Sequence, residues 1–267
     1  MTVTASTNQA MRSTIAATLL LVTGLPVLAG ITTQPSFEEP LVTAPAEPSE
    51  WRVHLALYAW LQSLDGDITT GGNTVPLSLD FDDITDYLDM SLMGAFGVNY
   101  GRWGFLLDMN YAELSTNLPT PLGIAAPFVS FKQEQWLVNA VGSYALVRNG
   151  VTELDVYAGL RLNALDVDLG VNAITLGGSQ EWIDPIIGLR FQQQLSSSFF
   201  FRAIGDIGGF GVSSDFTWQA MAAFGWQFSE CGSFLLGYRA VDTDYEQGGF
   251  AWDVNAHGPI LGLEFGF

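Results

Sequence analysis

The last ten residues, 258–267, constrain this chain more than any other stretch. Leu261, Leu263, Phe265 and Phe267 share one parity, and Ile260, Gly262, Glu264 and Gly266 share the other. A period of two belongs to a β-strand whose faces differ. Here one face is large and apolar, and the other is small with one carboxylate. Mean hydropathy is +0.26, yet no run of eighteen apolar residues occurs anywhere. In lipid, only helices and closed barrels satisfy their own backbone. A hydrophobic chain with two-faced strands and no spanning helix is therefore expected to be an all-β, antiparallel transmembrane barrel.

The chain ends bound that domain. Residues 1–29 read as a signal peptide: Arg12 precedes an apolar stretch at 15–28, and Val27-Leu28-Ala29 suits cleavage before Gly30. Residues 30–50 are rich in Pro, Thr and Glu and are expected to be a disordered periplasmic lead. The barrel is assigned to 51–267. The chain has 28 acidic against 9 basic residues, net −19, which excludes nucleic acid as a partner. Cys231 is the lone cysteine, so no internal disulfide forms and no metal site is expected. No motif calls for a cofactor.

Ten strands are expected, at 51–61, 90–100, 103–114, 128–147, 153–169, 181–195, 199–210, 216–228, 233–245 and 251–267. Tight connections at Gly101-Arg102, Arg148-Asn149-Gly150, Ser196-Ser197-Ser198 and Glu230-Cys231-Gly232 alternate with longer ones. Short periplasmic turns and longer outer loops are the asymmetry of an outer-membrane barrel. An even strand number keeps both ends on one side. Eight is the alternative if two segments stay outside the membrane, and twelve if 64–70 and 73–80 span; the expectation is that these form an outer hairpin. Residues 79–89 could make a helical turn, with Asp82 or Asp83 near its start.

Each strand sorts its residues by parity. Phe105, Leu107, Met109 and Tyr111, or Ile183, Pro185, Ile187, Leu189 and Phe191, are expected to face lipid. Aromatics such as Trp51, Tyr100, Trp103, Trp136, Trp218 and Trp226 sit near strand ends, as interfacial girdles do. Lys132 is the only lysine. The opposite parity carries charge and glycine. Arg161, Arg190, Arg202 and Arg239 are expected to form a lumen network with Asp108, Asp155, Asp184, Asp206, Asp242 and Glu264. Unpaired buried charge is too unfavourable to persist, so each arginine should meet a carboxylate. Arg239 and the pair Asp242 and Asp244 fall on opposite parities, and a β-bulge there would bring all three inside. A second bulge is expected near Pro259.

Phe265 and Phe267 on the terminal strand resemble the C-terminal insertion signal of bacterial outer-membrane barrels. That resemblance implies closure of last strand on first, recognition by the barrel-assembly machinery, and a location in the outer membrane. Further stretches are Tyr58-Ala59-Trp60-Leu61 with Leu64-Asp65-Gly66-Asp67, Gly101-Arg102-Trp103-Gly104, Trp182-Ile183-Asp184-Pro185, Gly205-Asp206-Ile207-Gly208, Gly237-Tyr238-Arg239 and His257-Gly258-Pro259. Together they resemble a group of small, porin-like proteobacterial outer-membrane barrel proteins of undefined function. The resemblance implies fold and location, with outer-membrane lipid and lipopolysaccharide as surroundings, and no substrate.

Enzymatic readings are weak. Asp242, Asp244, Asp253 and His257 are residue types that an omptin-like protease uses, but no omptin motif matches position by position. An esterase would need His54 or His257, the only histidines. Ten strands lie nearer the filled eight-stranded case than the open sixteen-stranded one. The expected function is thus a non-enzymatic barrel, structural or ligand-binding, with a lumen plugged by ion pairs. A small porin for hydrophilic solutes is the alternative. Asp65, Asp67, Asp80, Asp82, Asp83, Asp86 and Asp89 make the first outer excursion acidic, a candidate surface for divalent cations.

Overall fold

The computed structural model describes residues 51–70, 72–80, 88–119, 128–171 and 174–267. The expected signal peptide and lead lie outside these residues, as does 81–87, the greater part of the expected helical turn. Leu79, at its start, belongs instead to a strand. The described strands are β1 (Trp51–Trp60), β2 (Ser63–Thr70), β3 (Asn73–Leu79), β4 (Leu88–Tyr100), β5 (Trp103–Pro119), β6 (Phe128–Arg148), β7 (Thr152–Val171), β8 (Ile174–Gln194), β9 (Phe199–Gly208), β10 (Phe216–Gln227), β11 (Gly232–Gln247) and β12 (Phe250–Gly266).

Ten of them close a ring. The order runs β1-β4-β5-β6-β7-β8-β9-β10-β11-β12, and β12 pairs back onto β1. Backbone bonds at the chain end seal the seam: Phe267 N–H donates to Val53 O at 2.8 Å, and Val53 N–H to Phe267 O at 3.0 Å. β2 continues β1 rather than adding to the ring. Trp60 faces Ile260 and Ser63 faces His257, so the register along β12 never slips. The ladder breaks only at Leu61-Gln62, opposite Pro259, which has no N–H to give. The break therefore needs no bulge, contrary to expectation. β3 folds back on β2 as the expected outer hairpin. Gly66 lets that hairpin press on the wall: a Cβ there would meet Asp253 O at 2.0 Å.

The exterior carries an apolar belt with two aromatic rims. Trp103 faces Tyr144 and Tyr111 faces Trp136, eight residues apart on both β5 and β6. At about 3.4 Å per residue and a tilt of about 40°, that spacing spans roughly 20 Å along the axis, close to the apolar band of an outer-membrane barrel. Trp218 and Trp226 repeat the spacing on β10. Between the rims, Phe105, Met109, Leu160, Ile183, Ile187, Leu189, Phe224, Leu236 and Leu263 lie exposed on the outside. Burial in lipid is what such a surface requires.

Turn chemistry sets the periplasmic end. Asn149 Oδ1 accepts from Val151 and Thr152 N–H at 3.0 and 2.7 Å, with Gly150 at φ 81°. At the other end the wall rises well beyond the belt, since β6 and β8 each run 21 residues. Two outer connections expected to be long are consequently short. β7 runs to Val171 and β8 starts at Ile174, while Gly248-Gly249 alone joins β11 to β12.

In this raised part the two faces exchange character with no change of parity. Along β12, Leu261, Leu263 and Phe265 point out within the belt and Glu264 points in. Further up, Trp252 and Val254 are buried inside while Asp253 is exposed outside. The inward residues form one apolar cluster across the bore. Leu64, Ile68, Leu77 and Leu79 of the hairpin pack with Leu114, Leu165, Val167, Trp182, Tyr245, Phe250, Trp252 and Val254. Trp182 stacks on Tyr245 at 4.1 Å, with 9° between the rings.

Candidate functional site

Among the described residues, the lumen below that cluster is the one place where charged side chains converge inside the wall. Each forms part of an inward parity set. On β7, Asp155, Tyr157 and Arg161 point in; on β8, Asp184 and Arg190; on β9, Arg202 and Asp206. Four arginines each meet a carboxylate. Arg161 Nη2 lies 2.7 Å from Asp206, Arg190 Nε 3.2 Å from Asp155, Arg202 Nη1 2.6 Å from Glu264, and Arg239 Nη2 2.9 Å from Asp108.

The middle layer is the most thoroughly bonded. Arg161 is fully buried and also donates to Asn139 Oδ1 at 2.9 Å and Thr217 Oγ1 at 3.0 Å. Tyr157 O–H donates to the other oxygen of Asp206 at 2.8 Å. Arg239 donates to Gln219 Oε1 at 2.7 Å and to Tyr58 Oη at 3.2 Å, and its guanidinium lies 4.8 Å over the Trp60 ring. Tyr58 O–H in turn donates to Asp108. Above this layer, Trp60, Met93, Leu137, Val241 and Ile260 form an apolar floor under the outer cluster.

Two residues assigned to the network behave otherwise. Asp184 is inside and fully buried, but it accepts from Ser214 N–H at 2.8 Å and Ser214 O–H at 2.7 Å. It ties the β9–β10 loop to β8. Asp242 is outside. β11 pairs without a slip on both β10 and β12, so the expected bulge is absent. Arg239 therefore points in, while Asp242 and Asp244 point out with Tyr238. The physical reason is the exchange of faces above the belt, where carboxylates belong outside. Asp242 accepts from Asn255 Nδ2 at 3.0 Å.

The outward carboxylates form rows. Asp67 faces Asp253, and Asp253 faces Asp244, across three adjacent strands. Partial burial, then Asp253, Asp215, Asp242 and Glu246, push the Asp244 carboxyl above its ordinary 3.8. Burial, then Asp242 and Asp67, do the same for Asp253. A raised carboxyl pKa means the folded state holds its proton more tightly. The penalty is thus present at neutral pH and relieved as pH falls through the raised value towards 3.8. Asp244→Asn should raise the melting temperature at neutral pH and leave it unchanged well below pH 3.8. Thermal melts across pH check this; an equal gain at both ends would refute a charge origin.

His257 also points out. Its Nε2 lies 3.1 Å from Asp65 and its Nδ1 2.6 Å from Tyr238 Oη. With Asp65 accepting from Nε2–H, Nδ1 accepts the tyrosine proton. Sequence reasoning missed this trio, because the unbroken register from β1 into β2 that brings Asp65 beside His257 has no local signature.

The ring and the belt define the class of the molecule: it has the fold of a bacterial outer-membrane β-barrel, and its apolar belt sets the wall in lipid. No family model matches the chain, and no curated protein matches its sequence. Among solved structures, the outer-membrane protease OmpT of Escherichia coli is similar, with TM-score 0.55 and 9% identity over 82% of this chain and 98% of that one. The translocator domain of the autotransporter NalP from Neisseria meningitidis aligns with TM-score 0.42 and 13% identity, over 83% and 90% of the two chains. The N-terminal barrel of Pseudomonas aeruginosa OprF aligns with TM-score 0.34 and 12% identity, over 81% and 97%. At 9% identity the likeness to OmpT is one of fold.

Proposed function

We propose that this chain is a non-conducting outer-membrane barrel, structural or ligand-binding, sealed towards the cell surface and open as a blind pocket towards the periplasm. One observation carries the reading: the apolar cluster of β2, β3 and the tall strands fills the outer bore. Beneath it the Arg161 and Arg239 layers close the middle. An ion crossing here would have to leave water and displace paired charges, which is strongly unfavourable. Outer-membrane lipid and lipopolysaccharide surround the belt in this reading, and divalent cations bridge the acidic outer rows to lipid phosphates.

The non-enzymatic reading rests on placement. Asp242, Asp244 and Asp253 line the outer surface of the wall, and His257 is held between Tyr238 and Asp65. A peptide cleft inside the outer mouth would need the space that Trp182, Trp252 and their neighbours occupy. His54 lies at the periplasmic end of the lumen, its Nδ1 3.7 Å from Glu264, far from any outer-leaflet ester.

Planar-bilayer recording of the purified barrel tests the proposal. The expected trace shows no steady conductance in concentrated KCl. Reproducible single-channel steps would overturn it and favour the small porin.

A further inference from the structure

Beneath the sealed layers the lumen holds a cavity of about 350 Å³. It lies within the size range of small-molecule sites, about 300–1,000 Å³. It exists because one wall is built of small residues, Ala56, Ala95, Gly97 and Gly262, while arginines reach in from the other. These arginines fall into two kinds.

Three of them each hold a carboxylate that no other arginine contacts. Arg161 and Arg239 are bonded as described, with Arg239 Nε alone left without a partner, and Arg202 grips Glu264 at 2.6 and 3.2 Å and Gln192 at 2.8 and 2.9 Å. Arg52, Arg148 and Arg190 do not hold one of their own. Arg52 approaches Glu153 at 3.5 Å. Arg148 donates through Nη1 to Gly101 O, but it stands 3.8 Å from Glu153 and 3.7 Å from Asp155, longer than hydrogen bonds. Arg190 makes contacts of 3.2 Å to Asp155 and 3.4 Å to Ser143. Arg148 Nε and Asp155 Oδ1 are buried without a hydrogen-bond partner, although the Arg148 side chain is only 10% exposed. Three guanidiniums share two carboxylates, leaving one positive charge in surplus.

We propose that this cavity binds a small amphipathic monoanion of the fatty-acid class, entering from the periplasm. Its carboxylate sits among Arg52, Arg148 and Arg190, whose planar forks match that geometry. Its apolar body lies against Ala56, Ala95, Gly97 and Leu106, which offer no polar side chain. A monoanion balances the surplus, whereas a dianion would leave buried charge uncompensated. The proposal rests on the lumen being sealed on its outer side.

The test uses the mature barrel in lipid nanodiscs, titrated calorimetrically with hexanoate, hexylammonium and inorganic phosphate. Hexanoate should bind saturably and hexylammonium should not. Arg190→Gln should weaken hexanoate at least about tenfold, the size of one lost charge-assisted contact. Arg52→Gln, at the solvated rim, guards against misfolding and should weaken it too. Ala95→Leu, which fills the small-residue wall, should abolish it. Phosphate binding as tightly as hexanoate and indifferent to Ala95→Leu would overturn the amphiphile. So would hexanoate uptake equal in all variants, which is partitioning into lipid. No binding by barrels that still shift on a gel when boiled would overturn the site. Steady conductance would overturn the sealed lumen instead, and it is read in a separate measurement.

Discussion

Arg161→Met should destabilise the barrel by about 3–5 kcal/mol, the usual loss when one partner of a buried pair is removed. Arg161 is fully buried and bonded at 2.7–3.0 Å to Asp206, Asn139 and Thr217. Methionine fills much of the volume but leaves Asp206 charged, with only the Tyr157 hydroxyl to meet it. A double variant, Arg161→Met with Asp206→Asn, should recover most of the loss, because the stranded charge goes with the arginine. Arg202→Met should do less, since its pair with Glu264 keeps 18% exposure on both side chains and water can replace the partner. Urea unfolding from lipid vesicles measures all three. Equal losses for Arg161→Met and Arg202→Met would contradict the division between a dry middle layer and a wetter lower one.

Trp182→Ala should be comparably damaging, at about 3–5 kcal/mol for an aromatic removed from a packed core. The indole is 4% exposed, sits in the outer cluster and stacks on Tyr245 at 4.1 Å. Such stacking adds about 0.5–1.5 kcal/mol beyond the area buried. Trp103→Ala is the control: that side chain is 67% exposed on the lipid face and packs edge-on to Tyr144. It should shift the unfolding midpoint less. The comparison separates two solvents, since the outer cluster is held by exclusion of water whereas the belt has lipid to lie in. A larger loss for Trp103→Ala would mean that the raised part of the barrel contributes little to stability.

Period-two alternation and turn chemistry determined most of the fold. The pattern from Leu261 to Phe267 fixed which side chains share a face, and Asn149-Gly150 fixed where the chain reverses. Together with the even strand number, they carried ten strands, closure and the lumen position of Arg161, Arg190, Arg202 and Arg239. These are local properties, set by residues a few positions apart. Which medium each face meets was left to the tertiary structure. Alternation states that faces differ, and a strand that leaves the membrane keeps its parity while lipid gives way to water. Val254 and Asp253 therefore follow the same geometry as Glu264 and Leu263 with the opposite chemistry. Read without that change of medium, Asp242 looked like a lumen residue needing a bulge. The apolar cluster under the β2–β3 hairpin and the Asp65–His257 contact have the same origin. Both join segments almost two hundred residues apart along the chain, and only the closing of β12 on β1 brings them together.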